Sequence, residues 1–524
     1  MFVATRVPAR ADGAKYDAAP ANLMPADVTL DQVMARLRAA RFNGVLNYRE
    51  RWKFESEGLK GTETIVRYGD DVRIDSQVGP FISASGRYHG QEWRMTENGQ
   101  TVLKSGVHRR EKIDARVLER DHIDESDGVM LLGMSASPKT YVLQVSPQGG
   151  RREWLFVDPA SGQLVRTESV YSHQRLIVDY SDFRTEGPRT YAHAARWAYA
   201  DGTNPGTDTL VTDEEDPEGL DLRIPPSSRD LLEFPPGVTH VEIPSKFLGN
   251  HVIIRITIAG RGLDCFLDSG SSSIYLDPRI AHQLGLPQYG KSVEQNTHAV
   301  GVSRTIVPEI DVAGIRMHDV AITAGPMHDL VTPDVEAVGL VGFDFIDGAV
   351  IHIDYQHQKV EAIRSDDFHP ETIPGVFAIP VALDDGVPLA PVKVGDTISR
   401  RFIVDTGSPG VMLFSQFADA HPDDVKDQGR GQALSANGAF LFLFGGVGGL
   451  GTMRPTELKS IQFGQTRFND FMTMRTVSAG DFEGDDFDGL IGTEFLRYFD
   501  VYFDYANGRI VLAPNDISRG AAAH

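Results

Sequence analysis

Cys265-Phe266-Leu267-Asp268-Ser269-Gly270-Ser271 and Phe402-Ile403-Val404-Asp405-Thr406-Gly407-Ser408 are two copies of one pattern: an apolar run, an acid, a hydroxyl residue, a glycine and a serine. A single Asp-Ser/Thr-Gly is an ordinary turn or strand-end cap, and about one match is expected by chance in a long, glycine-rich chain. The surroundings repeat as well. Upstream, Ile243-Pro244 leads to the run Val252-Ile253-Ile254, and Ile379-Pro380 leads to Leu389-Ala390-Pro391-Val392. The isoleucine precedes the acid by 25 residues in one copy and 26 in the other. Downstream, Gly339-Leu340-Val341-Gly342-Phe343-Asp344-Phe345-Ile346 answers Gly489-Leu490-Ile491-Gly492-Thr493-Glu494-Phe495-Leu496. An alternating strand ending in Asp354-Tyr355 or Asp504-Tyr505 follows, each Asp 12 residues after the last glycine. Such equal spacing marks an internal duplication, which outranks local motifs.

Two carboxyls brought together by such a duplication cannot both ionise cheaply, so they titrate as a unit and share a proton. One can then take a proton from water while the other polarises an amide carbonyl. The glycine permits a tight turn and lets its amide approach the carboxylate.

On these motifs, about residues 238–514 resemble retropepsin-like aspartic proteases, fused into a single-chain pseudo-dimer as pepsins are. The resemblance implies a mainly β, bilobal, pseudo-two-fold fold of two closed barrel-like lobes, with Asp268 and Asp405 catalytic. It further implies that Ser269 and Thr406 lock the two turns together, and that each Leu-aliphatic-Gly segment crosses behind a catalytic loop in a ψ shape. Gly270 and Gly407 allow the turns, while the hydroxyls of Ser271 and Ser408 are expected to bond the outer carboxylate oxygens and orient them. Ser269 stands where threonine is commoner and lacks the methyl that packs the interlock. The implied substrate is an extended polypeptide, and the chemistry needs no metal and no cofactor.

An enzyme of this kind needs hairpins that close over substrate and exclude water. Gly301 and Val302, before the strand-like Thr305-Ile306-Val307, are flap candidates in the first half. In the second half they are Gly448 and Gly449, in the cluster Gly445 to Gly451 after Phe440 to Phe444. Gly446-x-Gly448-x-x-Gly451 also fits a dinucleotide-binding fingerprint, but Pro455 falls where the required helix would run, so a hairpin tip is the better reading. Cys265, the sole cysteine, reads as a small core hydrophobe. His352 and His357 lack zinc-ligand companions at suitable spacing. The acidic run Asp481 to Asp488 reads as a solvated loop.

At 524 residues the chain suggests two or three domains, and 41% hydrophobic content is ample for sizeable cores. A net charge of −22 argues against nucleic acid as partner, and no stretch approaches the length of a membrane span. One cysteine excludes intrachain disulfides. Residues 1–25 are expected to be a disordered terminus, rich in Ala, Pro and Asp, as left by processing. A periplasmic or otherwise extracytoplasmic location is expected, with cytoplasmic the alternative.

Residues 26–212 read as a β-rich domain with one helix. Over 28–40, Thr29 and Gln32 form a capping box, and Leu30, Val33, Met34 and Leu37 an apolar stripe. Strand signals follow, among them Gly44–Tyr48, Thr64–Tyr68, Val72–Ile74, Tyr141–Val145 and Trp154–Val157. On Gly90-Gln91-Glu92-Trp93, Asp158-Pro159-Ala160-Ser161-Gly162-Gln163-Leu164-Val165-Arg166 and Val178-Asp179-Tyr180-Ser181-Asp182-Phe183-Arg184, this region is distantly similar to the half-open barrel of periplasmic lipoprotein carriers. That similarity implies a possible lipid or peptide ligand, although a structural or substrate-presenting accessory is favoured. Residues 213–237 are the expected linker, 238–367 and 368–514 the two lobes, and 515–524 a flexible tail. The rival to an endopeptidase is a non-catalytic peptide- or lipid-binding protein. A further rival is a processing enzyme inactive on generic substrates and gated by the N-terminal domain.

Overall fold

The computed structural model describes residues 18–40, 47–104, 128–148, 150–171, 174–186, 189–215, 217–228, 231–295, 299–327, 336–427, 442–446, 449–478 and 487–517. Of these, 18–226 with 290–293 form one compact unit, and 227–289 with 294–517 form another. The fold is mainly β.

In the first unit the helix Leu30–Ala40 starts as its capping box dictates. The Thr29 amide donates to Gln32 Oε1 at 3.0 Å, and the Gln32 amide donates to Thr29 Oγ1 at 3.4 Å. Its stripe, Val33, Met34 and Leu37, is buried against Tyr141, Leu143, Val145, Leu155, Val157 and Leu164. Among the described residues, thirteen strands make one antiparallel meander. Its middle strand is Gly206–Glu215, which pairs with Asn47–Ser56, itself paired on its other side with Leu59–Tyr68. The turn after Glu153–Val157 is held by Asp158, whose Oδ1 accepts the Ala160 and Ser161 amides. Gly162 ends that turn at φ +75°, where a Cβ would lie 2.6 Å from the Arg36 carbonyl oxygen of the helix, so only glycine lets helix and turn approach this closely. The last strand continues to Glu215, into the acidic segment read from composition as linker.

The second unit contains three sheets. A six-stranded sheet runs in the order His240–Ile243, Lys359–Ile363, Val350–Asp354, Phe499–Asp504, Arg509–Pro514, Phe377–Pro380, three strands from each half of the repeat. At its centre Ile351 pairs with Phe503 and His352 with Tyr502, antiparallel. The Ile-Pro signature marks the point where each half leaves this sheet. Proline lacks an N–H and cannot continue a central ladder, so the chain turns after Ile243 and at Pro380 into the next sheet.

Eight strands of the first half follow the order Ser245–Leu248, His251–Ile258, Arg261–Leu267, Gly339–Val341, Tyr275–Leu276, Ile315–Ala324, Ala299–Val312, Tyr289–Gln295. The second half runs Ala382–Asp384, Val387–Val394, Thr397–Val404, Gly489–Ile491, Met412–Leu413, Thr466–Ser478, Gly449–Phe463, Val425–Asp427. The two orders match position for position. Each path closes on itself, His251–Ile258 with Ala299–Val312 and Val387–Val394 with Gly449–Phe463. Phe442–Gly446 adds a hairpin to the second half, pairing Gly446 with Gly449 and Phe444 with Gly451. The strand then runs on through Pro455, so the glycine fingerprint is a hairpin and no helix follows it.

Each strand that leads to an aspartate turn lies parallel to the crossing segment, Phe266 beside Leu340 and Phe402 beside Gly489. The closing glycines of those segments sit against the loops. A Cβ on Gly342 would lie 2.4 Å from the Ser271 carbonyl oxygen, and one on Gly492 would lie 2.2 Å from that of Gly410 and 2.5 Å from that of Ser408. Gly492→Ala is therefore expected to destabilise the fold by about 3 kcal/mol in urea unfolding. Gly301→Ala, whose Cβ meets nothing within 4 Å, is the control and should change stability by less than about 0.5 kcal/mol.

Candidate active site

Asp268 and Asp405 stand at the ends of the strands Arg261–Leu267 and Thr397–Val404. The Asp268 amide donates to the Val341 carbonyl and that of Asp405 to the Ile491 carbonyl, each at 3.0 Å, so each acid is tethered to the crossing segment beside it. Beyond the crossing, the Phe343 and Thr493 amides donate to the carbonyls of Ser271 and Ser408 at 3.0 and 2.9 Å. Backbone alone thus holds both loops from behind.

The hydroxyl residues then join the loops to each other. The Ser269 amide donates to Thr406 Oγ1 and the Thr406 amide to Ser269 Oγ, both at 3.0 Å. Each hydroxyl donates across the divide, Ser269 to the Val404 carbonyl at 2.8 Å and Thr406 to the Leu267 carbonyl at 2.7 Å. Both side chains are buried, so all four bonds are sheltered from water. Ser269 supplies the same donor and acceptor a threonine would.

This interlock presses each turn against the opposite acid. A Cβ on Gly270 would lie 2.8 Å from Cγ of Asp405, and one on Gly407 would lie 2.6 Å from Cγ of Asp268. Only glycine fits at either place. The Gly270 and Gly407 amides donate to Oδ1 of their own aspartates at 2.9 and 2.8 Å, and the two carboxyls hydrogen-bond one another.

Both acids remain partly exposed, as reaction with a solute requires, yet dense surroundings dominate their ionisation. Asp268 is raised well above the ordinary carboxylate range, first by burial, then by the charge of Asp405 and the hydrogen bond to it. Asp405 is raised by burial as well, but the bond from Asp268 and the amides of Gly407, Ser408 and Gly270 counteract that. Both shifts favour retention of a proton by the pair, so the two acids titrate as a unit. Two buried tyrosines, Tyr355 and Tyr505, feel these charges. Burial comes first in raising each, with Asp405 adding to Tyr355, and Asp347, Asp268 and Asp405 to Tyr505, so both phenols stay neutral.

Ser271 and Ser408 depart from expectation. Their hydroxyls donate to the carbonyls of Ser273 and Gly410, at 2.8 and 3.2 Å. A hydroxyl has one proton, so neither is left to orient a carboxylate in this state. The backbone amides of the two serines donate to the main-chain carbonyls of Asp268 and Asp405, at 3.2 and 3.3 Å, and so close the turns.

Of the flap candidates, Gly301 and Val302 lie near the start of the strand Ala299–Val312, with Val302 buried beside Phe266, Tyr275 and Leu340. Gly449 begins a strand at the hairpin end, and Gly448 lies outside the described residues. Cys265 is buried and its thiol is pushed up, first by burial, which suits a core residue. The acidic run reads differently at its end: Asp488 is buried, accepting from Ser399 Oγ at 2.5 Å and from Arg401 at 2.6 Å. An open cavity of about 690 Å³ lies there, lined by Ile398, Arg400, Phe417 and His421 and by neither aspartate turn.

The residue pattern gives no sign of His251, whose ring lies beside the Gly407 backbone and edge-on to Phe266 at 5.1 Å. It carried no local signal, because its partner is 156 residues away.

Residues 254–345 match the family model described as aspartyl protease, a span that includes the first Asp-Ser-Gly turn and its crossing segment. The chain thus carries an aspartyl-protease-like domain. Among solved structures, a DUF1329 family protein from Desulfovibrio piger is similar at 13% identity and a TM-score of 0.29, covering 37% of this chain and 95% of that one. A LolA superfamily protein from Nitrosomonas europaea is similar at 11% identity and a TM-score of 0.29, covering 37% and 96%. No curated protein matches the chain.

Thr406→Ala removes an acceptor from the Ser269 amide and a donor from the Leu267 carbonyl, both buried. The loss expected in urea unfolding is about 3 kcal/mol, whereas Thr406→Ser, which keeps both bonds, should lose less than about 1 kcal/mol.

Proposed function

We propose that the protein is an aspartic endopeptidase. The observation that carries this reading is the pair of acids packed against each other's glycines and joined by a hydrogen bond. In the proposed reaction, water between the carboxyls gives a proton to Asp405 while Asp268 donates its own to the oxygen of the scissile amide. The C–O bond forms. Asp405 then passes its proton to the nitrogen, and the C–N bond breaks to release the amine. Asp268 recovers a proton from a hydroxyl of the tetrahedral species as the carboxyl product forms. The four-bond interlock supports the rigidity this needs, since misplacement by about 1 Å costs on the order of a hundredfold.

The substrate is an extended polypeptide lying between the lobes, covered by the hairpin Phe442–Gly446/Gly449–Phe463 and by the segment bearing Gly301 and Val302. We assign the lobes to 238–367 and 368–514. Residues 26–212 are an accessory domain that presents substrate or binds a lipid or peptide, joined by 213–237, and the location is extracytoplasmic.

Full-length protein incubated with an unfolded protein substrate is expected to cleave it. Asp268→Asn and Asp405→Asn should each lower turnover by at least about a thousandfold; full activity in either variant would contradict the reading. Stability gives a second readout. Because the folded pair binds protons more tightly than an ordinary aspartate at 3.8, the fold loses stability as pH rises from about 4 through the raised range. Asp268→Asn removes that loss, so its Tm should exceed the wild type at pH 7 and converge with it below about pH 4.

A further inference from the structure

Asp208 is an acid that the proposed reaction does not use. It lies in the strand Gly206–Glu215 of the first unit, directly opposite Phe54 on one side and Ala195 on the other. Residues paired across antiparallel strands point to the same side, so these three share one face of the meander. Glu63, paired with Trp52, is on that face too. Oδ1 of Asp208 is buried, and among the described residues it has no hydrogen-bond partner. Glu63 is already engaged, since Ser76 Oγ donates to its Oε1 at 2.8 Å. Burial first, then the like charge of Glu63, pushes the Asp208 carboxyl up to about 7. Ionised or not, its Oδ1 lacks a partner, a state that asks for a ligand or a water.

Aromatic rings wall this acid on one side. Trp197 pairs with Gly206, which precedes Asp208 by two residues and so shares its face. A Cβ on Gly206 would lie 2.0 Å from the Trp197 indole. The indole therefore lies across the bare glycine and stacks on Phe54, with centroids 5.4 Å apart at 23°. A side chain at 206 would push the two rings apart. On the other side of Asp208, Ala195 is small and leaves room over the carboxyl. Phe54, Ala195, Trp197 and Asp208 all keep part of their surface exposed, so a solute can reach the rings and the acid together.

We propose that this face binds a quaternary ammonium group, with Asp208 as its counter-charge and Trp197 and Phe54 as its aromatic contacts. A methylated cation needs a negative charge and π faces, and it brings no N–H that must find an acceptor. A primary ammonium would bring three donors to a place where Glu63 is occupied by Ser76. The bound cation offsets a charge that burial makes costly, and its methyl groups cover the rings. The site lies wholly in the first unit and does not rest on the endopeptidase reading. It gives the accessory domain a ligand of defined chemistry.

Choline, titrated into full-length protein by calorimetry, tests this against its neutral isostere, in which carbon replaces the nitrogen. Choline is expected to bind, and the isostere to bind at least about tenfold more weakly. Asp208→Asn and Trp197→Leu should each weaken choline by about tenfold. Asp208→Asn removes an uncompensated buried charge, so at about pH 8 its Tm should equal or exceed that of the wild type, which separates lost binding from lost folding. Hexylphosphocholine binding more tightly than choline would assign the group to a lipid headgroup; equal or weaker binding would assign it to a free solute. No heat from choline, equal affinity for the isostere, or unchanged binding in Asp208→Asn would overturn the proposal. Proteolysis without choline binding would do the same and leave the endopeptidase reading standing.

Discussion

The mutual hydroxyl interlock of Ser269 and Thr406 is the contact on which the site depends. Two carboxyls in a crowded, poorly solvated place repel each other when ionised, and burial alone makes their charge costly. Left to themselves the loops would separate and let water in. The four crossed bonds prevent this, and they are buried, so breaking one leaves orphaned polar groups that cost more than the bond is worth in water. The glycines are the sterically necessary counterpart. With the loops locked, each turn lies so close to the opposite acid that no side chain fits.

The frame is two-fold, yet the proposed chemistry is one-sided, because it asks one carboxyl to keep the proton. The departures from symmetry are side chains on a common backbone. In the first loop Asp344 Oδ2 accepts the Ile274 amide at 2.9 Å, whereas in the second the Glu494 amide donates to the Pro409 carbonyl at 3.1 Å. His251 in the first half stands where the register of the second half puts Val387. A duplicated structure can thus acquire distinct acid and base roles by substitutions that leave the strands untouched.

Much of the fold was legible because its signals are local. Thr29 and Gln32 cap their helix three residues apart, the Ile-Pro pairs stop a ladder where they stand, and the equal spacings of the repeat reappear as equal strand orders. The Asp-Ser/Thr-Gly turns were legible because glycine and hydroxyl have few other reasons to recur at matched distances. What stayed hidden depended on distant partners. His251 resembles any strand-end histidine until Gly407 is folded beside it. Asp488 ends an acidic run whose composition suggests solvent, but Arg401 and Ser399 draw it into the interior. The hydroxyls of Ser271 and Ser408 were assigned to the carboxylates by resemblance, and the nearby carbonyls of Ser273 and Gly410 claim their protons instead.

The central proposal is that Asp268 and Asp405 hold one proton between them, on Asp268. A crystal structure at atomic resolution, grown near pH 5, would read this from carboxyl bond lengths. The account requires unequal C–O lengths in Asp268, nearly equal lengths in Asp405, and facing oxygens about 3 Å apart. Equal lengths in both groups, or carboxyls separated by more than about 6 Å, would contradict it.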